Sequence, residues 1–161
     1  MKYSIREIKE SEYSLLKDFL YEAIFVPEGE QPPSRTILSS SELQVYVSRF
    51  GEQADDKGLV AEVDGHVIGA VWVRIMDDYG HVDNDTPSLA ISLYPEYRGF
   101  GIGTAMMEAM LTLLKRSGYA RVSLSVQKAN YAVGMYKKTG FQVINENSHE
   151  YIMVNDLSVY E

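Results

Sequence analysis

The stretch best suited to chemistry is Tyr94-Pro95-Glu96-Tyr97-Arg98-Gly99-Phe100-Gly101-Ile102-Gly103-Thr104, where three alternating glycines separate an apolar run from an amphipathic one. Glycines allow positive φ and leave backbone N–H groups uncovered, and the start of a helix concentrates partial positive charge. The combination predicts an anion site fitted to a phosphate or pyrophosphate. Spacing excludes two nucleotide-binding patterns. A P-loop needs Gly-Lys-Ser/Thr, whereas Gly103-Thr104 lacks the lysine. The dinucleotide fingerprint needs a glycine at its sixth place, which counted from Gly99 is Thr104, and no acidic residue lies between Ser123 and Gln127 to meet a ribose. By themselves the glycines would serve close helix–strand packing as readily as anion binding. A second motif separates the two readings.

That motif is Asn130-Tyr131-Ala132-Val133-Gly134-Met135-Tyr136-Lys137-Lys138-Thr139-Gly140-Phe141. It resembles the Asn-x-x-Ala-x-x-(Leu/Met)-Tyr-x-x-x-Gly-Phe region of the GCN5-related N-acetyltransferases, with Ala132 and Val133 shifted by one. Arg98-Gly99-Phe100-Gly101-Ile102-Gly103 resembles the same family's (Gln/Arg)-x-x-Gly-x-(Gly/Ala) turn, and Leu93-Tyr94-Pro95 its preceding strand end. The resemblance implies acetyl-coenzyme A as cosubstrate. Its pyrophosphate would be held by backbone N–H groups of Arg98, Gly99, Phe100, Gly101, Ile102, Gly103 and Thr104. The pantetheine arm would pair with the strand at Leu93, and Asn130 would contact the coenzyme. A backbone N–H near Leu93 or Tyr94 would stabilise the oxyanion.

The resemblance also makes Tyr136 the general acid. A thioester releases a thiolate, thiols titrate near 8.5, and a neighbouring hydroxyl donor eases departure. The competing reading is a tyrosine that packs its ring in the core. Lys128, Lys137 and Lys138 read as a solvated surface run. An alkylammonium cannot attack until it loses a proton, so a base is required. Loop placement offers Glu28, Glu30, His81, Asp83 and Asp85, with Asp83 and Glu28 preferred. The expected reaction is direct attack of a primary amine, on a small molecule or a peptide, upon acetyl-coenzyme A. Two alternatives remain: a non-catalytic acyl-coenzyme A sensor, and transfer of a longer acyl group such as succinyl, for which Arg35 or Arg74 would supply a cation.

Composition narrows the field. The 161 residues fit one domain, residues 1–161, of that N-acetyltransferase type. With 23 acidic against 15 basic residues the formal charge is −8, which argues against nucleic acid as a partner and mildly favours a cationic acceptor such as a polyamine, an aminoglycoside or a peptide amine. The chain has no cysteine, so thiolate catalysis and Cys-ligated zinc are excluded, and three separated histidines make a metal site unexpected. No signal peptide or membrane-length apolar run is visible, which predicts a cytoplasmic protein without a membrane partner. A homodimer stays open.

The elements that must position these residues follow from periodicity. A strand is expected over residues 2–8, and a helix from an N-cap at Ser11 to near Val26, where Pro27 ends it. A proline-rich loop covers 27–35, and a short helix after Ser41 carries Leu43, Tyr46, Val47 and Phe50. Asp64-Gly65 predicts a hairpin between strands 59–63 and 67–75. Further strands are expected at 89–94, 121–126, 141–145 and 150–154, with helices at 101–117 and 130–138. The order βααβββαβαββ predicts an α+β fold, a mixed sheet flanked by helices. The resemblance implies the GCN5-related acyltransferase type, with a central mixed, mostly antiparallel sheet.

Overall fold

The hairpin at Asp64-Gly65 seeds the sheet. In a computed structural model that describes residues 1–159, so that the last two residues of the expected domain lie outside it, Asp64 and Gly65 both take positive φ (51° and 81°). They join strand β2 (Lys57–Val63) to β3 (His66–Arg74). Strand β1 (Ser4–Glu7) pairs with β2, and β4 (Ser88–Leu93) with β3, all antiparallel. Beyond them come β5 (Arg121–Gln127), β6 (Phe141–Glu146) and β7 (Glu150–Asp156), giving a seven-stranded sheet in the order β1-β2-β3-β4-β5-β7-β6. Only the β4–β5 junction is parallel. The observed order is the βααβββαβαββ expected from periodicity, and the sheet is mixed and mostly antiparallel as expected.

Alternation along β2 and β3 sends side chains to two separate cores. On one face Leu59, Ala61, Val71 and Val73 pack with Met106, Met107, Met110 and Leu114 of helix α3 (Ile102–Arg116). On the other, Val60, Ala70 and Trp72 pack with Leu16, Phe19 and Leu20 of helix α1 (Leu16–Ala23). The sheet is therefore covered on both faces, and β3 is buried from Ile68 to Arg74. No helix of the described residues is long and apolar enough to cross a membrane.

Two helices start or end elsewhere than periodicity predicts. Ser11 is not an N-cap: residues Glu10–Leu15 form a 3-10 turn entered from Lys9, whose N–H donates to the Glu12 carboxylate at 2.9 Å. Arg6 holds that same carboxylate at 2.8 Å, so a contact from β1 decides where the turn begins. Helix α2 is a single turn, Ser41–Gln44, although Leu43, Tyr46, Val47 and Phe50 do pack into the second core. Arg74 donates to Val45 O (3.1 Å) and Ser48 O (2.8 Å), taking carbonyls that a longer helix would use itself. The proline-rich loop also gains a 3-10 turn, Arg35–Ser39, capped by Ser34.

Candidate functional site

Strands β4 and β5 touch at one register point, Ser88 against Ser123, and then part. Tyr94 donates its N–H to Ile68 O of β3 at 3.0 Å. By the alternation of an antiparallel ladder, Leu93 and Ile91 therefore turn their backbone groups away from β3 and into the gap beside β5. This leaves the Leu93 N–H facing the gap, while the Leu93 carbonyl accepts from Arg98 Nε at 3.2 Å. Of the two neighbouring N–H groups, that of Tyr94 is engaged with Ile68 O and that of Leu93 is turned away from β3.

The glycine turn lies at the end of that strand. Pro95–Tyr97 form a 3-10 turn, and Gly99 (φ +83) and Gly101 (φ +82) adopt the left-handed backbone that favours glycine, with Gly101 as the N-cap of α3. A Cβ at either position would meet nothing within 4 Å, so these glycines are not there for close packing. The N–H groups of residues 99–104 make no hydrogen bond among the described residues, and Gly101 supplies no side-chain cap. Uncapped N–H groups at the start of a 15-residue helix form an anion cradle. Ile102 is fully buried and Phe100 is 56% exposed, so both offer backbone alone. The Arg98 N–H is spent on Pro95 O, and it is the Arg98 side chain that organises the turn. Its Nε donates to Leu93 O (3.2 Å), and its Nη2 donates to Glu22 O (3.3 Å), with the Glu22 carboxylate 3.5 Å away.

A cavity of about 1000 Å³ joins the turn, the strand gap and helix α4 (Ala132–Lys138). Leu93, Arg98, Gly99, Gly101, Gly103, Thr104, Asn130 and Tyr136 all line it. Asn130 accepts the Ala132 N–H through Oδ1 at 2.9 Å, which orients its carboxamide at the start of α4. Tyr136 is buried, with its ring 6.0 Å from that of Phe141. Its hydroxyl has no hydrogen bond among the described residues, and burial pushes its pKa up to about 12. The raised pKa keeps the hydroxyl protonated at neutral pH.

The two preferred bases separate. Glu28 lines the cavity from a turn in which Glu30 donates its N–H to Pro27 O (3.0 Å), and Gly29 takes φ +84. Asp83 does not line it. Asp83 pairs with Arg121 at the start of β5, and hydrogen bonds from Thr86 and the Asp85 N–H, with Arg121 beside them, hold its carboxyl below the usual range. The reason is topological: Asp83 precedes β4, at the opposite end of the strand from Leu93. Glu30, His81 and Asp85 are also absent from the lining. Neither cation considered for a succinyl donor is there. Arg35 pairs with Asp18 (2.5 Å) and Arg74 is buried against Asp56 (3.1 Å). Lys128 pairs with Glu146, and both Lys128 and Lys137 sit over Tyr151. No group of three or more His, Cys, Asp or Glu among the described residues is placed to hold a metal ion.

Sequence reasoning reached the backbone of the turn but missed the Arg98 brace to α1. It also missed the hydrogen bond from the Tyr21 hydroxyl to Pro33 O (2.6 Å), which ties the proline loop to the same helix. Neither has a local sequence signal.

A profile of the family described as Acetyltransferase (GNAT) family matches residues 16–141. The chain is 38% identical over 85 residues to a putative ribosomal protein bS18-alanine N-acetyltransferase of Bacillus subtilis, covering 52% of each chain. It is 35% identical over 101 residues to an N-alpha-acetyltransferase of Sulfurisphaera tokodaii, covering 57% of this chain and 60% of that one. The chain thus spans between half and two thirds of the length of these curated relatives. Among solved structures, PaiA N-acetyltransferase from Thermoplasma acidophilum in complex with coenzyme A shares the fold, with a TM-score of 0.71 at 22% identity over 97% of this chain and 99% of that one.

Proposed function

Because this chain belongs to the GNAT acetyltransferase family, we propose that residues 1–161 form one domain that moves an acetyl group from acetyl-coenzyme A to a primary amine. The observation that carries the reading is one cavity lined by Arg98, Gly99, Gly101, Gly103 and Thr104 of the glycine turn, by Leu93 and by Tyr136, where the N–H groups of residues 99–104 and the Tyr136 hydroxyl make no hydrogen bond among the described residues. The residues fit the cosubstrate. The helix start takes a pyrophosphate, the strand edge takes an amide-bearing arm, and Asn130 borders the same space. A thioester supplies an acyl carbon activated toward amines.

In this reading the amine attacks directly and no enzyme nucleophile is needed. The C–N bond forms as the C–S bond breaks. The ammonium first gives one proton to solvent. As the C–N bond forms the nitrogen gives its second proton to Glu28, directly or through water, and the Leu93 N–H meets the oxygen that gains negative charge. Tyr136 donates a proton to the departing sulfur and regains one from Glu28 through water, so each turnover converts the ammonium and the thioester to an amide, a thiol and one proton released to solvent. Arg98 keeps the Leu93 carbonyl engaged, which fixes the peptide plane beside it. The cavity's one cation, Arg98, is matched by Glu22, which favours the uncharged acetyl over an acidic acyl chain.

The test is a calorimetric titration with acetyl-coenzyme A, coenzyme A, succinyl-coenzyme A, NAD and ATP. Acetyl-coenzyme A and coenzyme A are expected to bind, with NAD and ATP silent. Ligand at about 100 times its dissociation constant adds about 2.7 kcal/mol of stability, a rise that a thermal melt detects. Absence of any coenzyme A binding would remove the reading. Binding of the succinyl donor in preference would redirect it to a longer acyl group.

A further inference from the structure

Part of the cavity lining comes from the end of α1 and the proline loop. Tyr21, Phe25, Pro27, Glu28, Pro32 and Pro33 form it. This wall is organised before any ligand arrives. The Tyr21 hydroxyl donates to Pro33 O, Arg35 pairs with Asp18, and the Arg35 guanidinium sits 5.0 Å over the Tyr21 ring. Prolines lose little conformational freedom on binding, so the wall presents rigid apolar surface.

Its charge is as simple as its shape. Two carboxylates line the whole cavity, Glu22 and Glu28, and one cation, Arg98. Glu22 is satisfied by Arg98. Glu28 has no hydrogen bond or ion pair among the described residues, so the cavity holds one unmatched negative charge. A polyamine or an aminoglycoside brings several ammonium groups and would find a partner for one of them. The remaining ammonium groups would find no second free carboxylate in the lining and would stay in solvent, adding nothing to the affinity.

We propose that the acceptor is a primary amine carrying a single positive charge beside an apolar, preferably aromatic, body. Its ammonium meets Glu28 and its body lies on Tyr21, Phe25 and the proline wall. This rests on the acetyl-transfer reading and names its substrate class. It departs from the polyamine or aminoglycoside that the overall acidity favours, because net charge does not locate charge at a cavity. Two sources share the chemistry: a free arylalkylamine, and the α-amine of a peptide whose first side chain is aromatic.

The experiment follows release of coenzyme A thiol, which the absence of cysteine from the chain makes free of protein background. The acceptors are 2-phenylethylamine, the tripeptide amide Phe-Ala-Ala, ethylamine and spermidine, and acetyl-coenzyme A binding is measured separately by calorimetry. Burial of one aromatic ring predicts kcat/KM for phenylethylamine or the peptide about thirtyfold above ethylamine, and above spermidine as well. Whichever aromatic amine leads identifies the source. Loss of a charge-assisted contact predicts that Glu28→Gln raises the KM of the favoured amine about tenfold or more. Phe25→Ala, with Phe25→Leu as a milder variant, lowers the phenylethylamine-to-ethylamine ratio while acetyl-coenzyme A binding shows the protein folded. Spermidine turned over best, or no aromatic amine turned over by protein that binds acetyl-coenzyme A, overturns this inference and leaves the donor site standing. Failure to bind acetyl-coenzyme A removes the underlying reading instead.

Discussion

Tyr136 shows how a local motif and a buried environment combine at a single residue. The resemblance of Asn130 to Phe141 to the family motif singled it out as a general acid, and the structure buries its ring beside Phe141 as the competing core-packing reading expects. What bears on the choice is that Tyr136 lines the cavity and that its hydroxyl makes no hydrogen bond among the described residues. On the proposed role, Tyr136→Phe lowers kcat about a hundredfold or more with the dissociation constant of acetyl-coenzyme A unchanged. Steady-state rates and calorimetry check the two halves. The same burial has a stability consequence. The folded pKa, about 12, exceeds the ordinary 10.0, so the folded state holds this proton more tightly than the unfolded chain. That contribution is complete below pH 10 and is lost as pH rises toward 12. Urea unfolding across this window is expected to show a shallower alkaline decline for Tyr136→Phe than for the parent protein.

Helix starts carry the next layer of information. Gly101 was legible because a left-handed N-cap is a property of the backbone at one position, and the sequence pattern reports it directly. Gly101→Ala forces a Cβ onto φ +82, at a cost of about 1 kcal/mol, and sets a methyl group in the open space above the turn. Coenzyme affinity is expected to fall about tenfold, more than the loss in urea stability accounts for. The start of the first helical segment was not legible, because Glu12 is recruited by Arg6 from β1 rather than by a neighbour in sequence. The Arg6 guanidinium lowers the Glu12 pKa from 4.5 to about 2. The stability it contributes is present above pH 4.5 and disappears as pH falls toward 2. Glu12→Gln is expected to flatten acid unfolding over that range, read by circular dichroism.

Across the whole molecule, the decisive contacts join segments far apart in the chain. Arg74 is 4% exposed, and donates to both oxygens of Asp56 at 3.1 Å and to the carbonyls of Val45 and Ser48. It fastens the irregular segment after α2 to the central strand. Removing one member leaves the other charge buried, so Asp56→Asn is expected to cost about 3–5 kcal/mol in urea unfolding, far more than an exposed pair such as Arg49 with Glu52. The sequence by itself determined the element order, the two-faced sheet and the glycine cradle. Each rests on local physics: side-chain period, backbone freedom at glycine, and the partial charge at a helix start. Only the tertiary structure decided which carboxylate reaches the cavity, because Glu28 and Asp83 are both loop-borne carboxylates in the sequence and the fold brings Glu28 to the cavity while leaving Asp83 at the far end of β4 from Leu93. It also decided that Arg98 braces the donor turn to α1 across 76 residues of chain, a contact no pattern within either segment encodes.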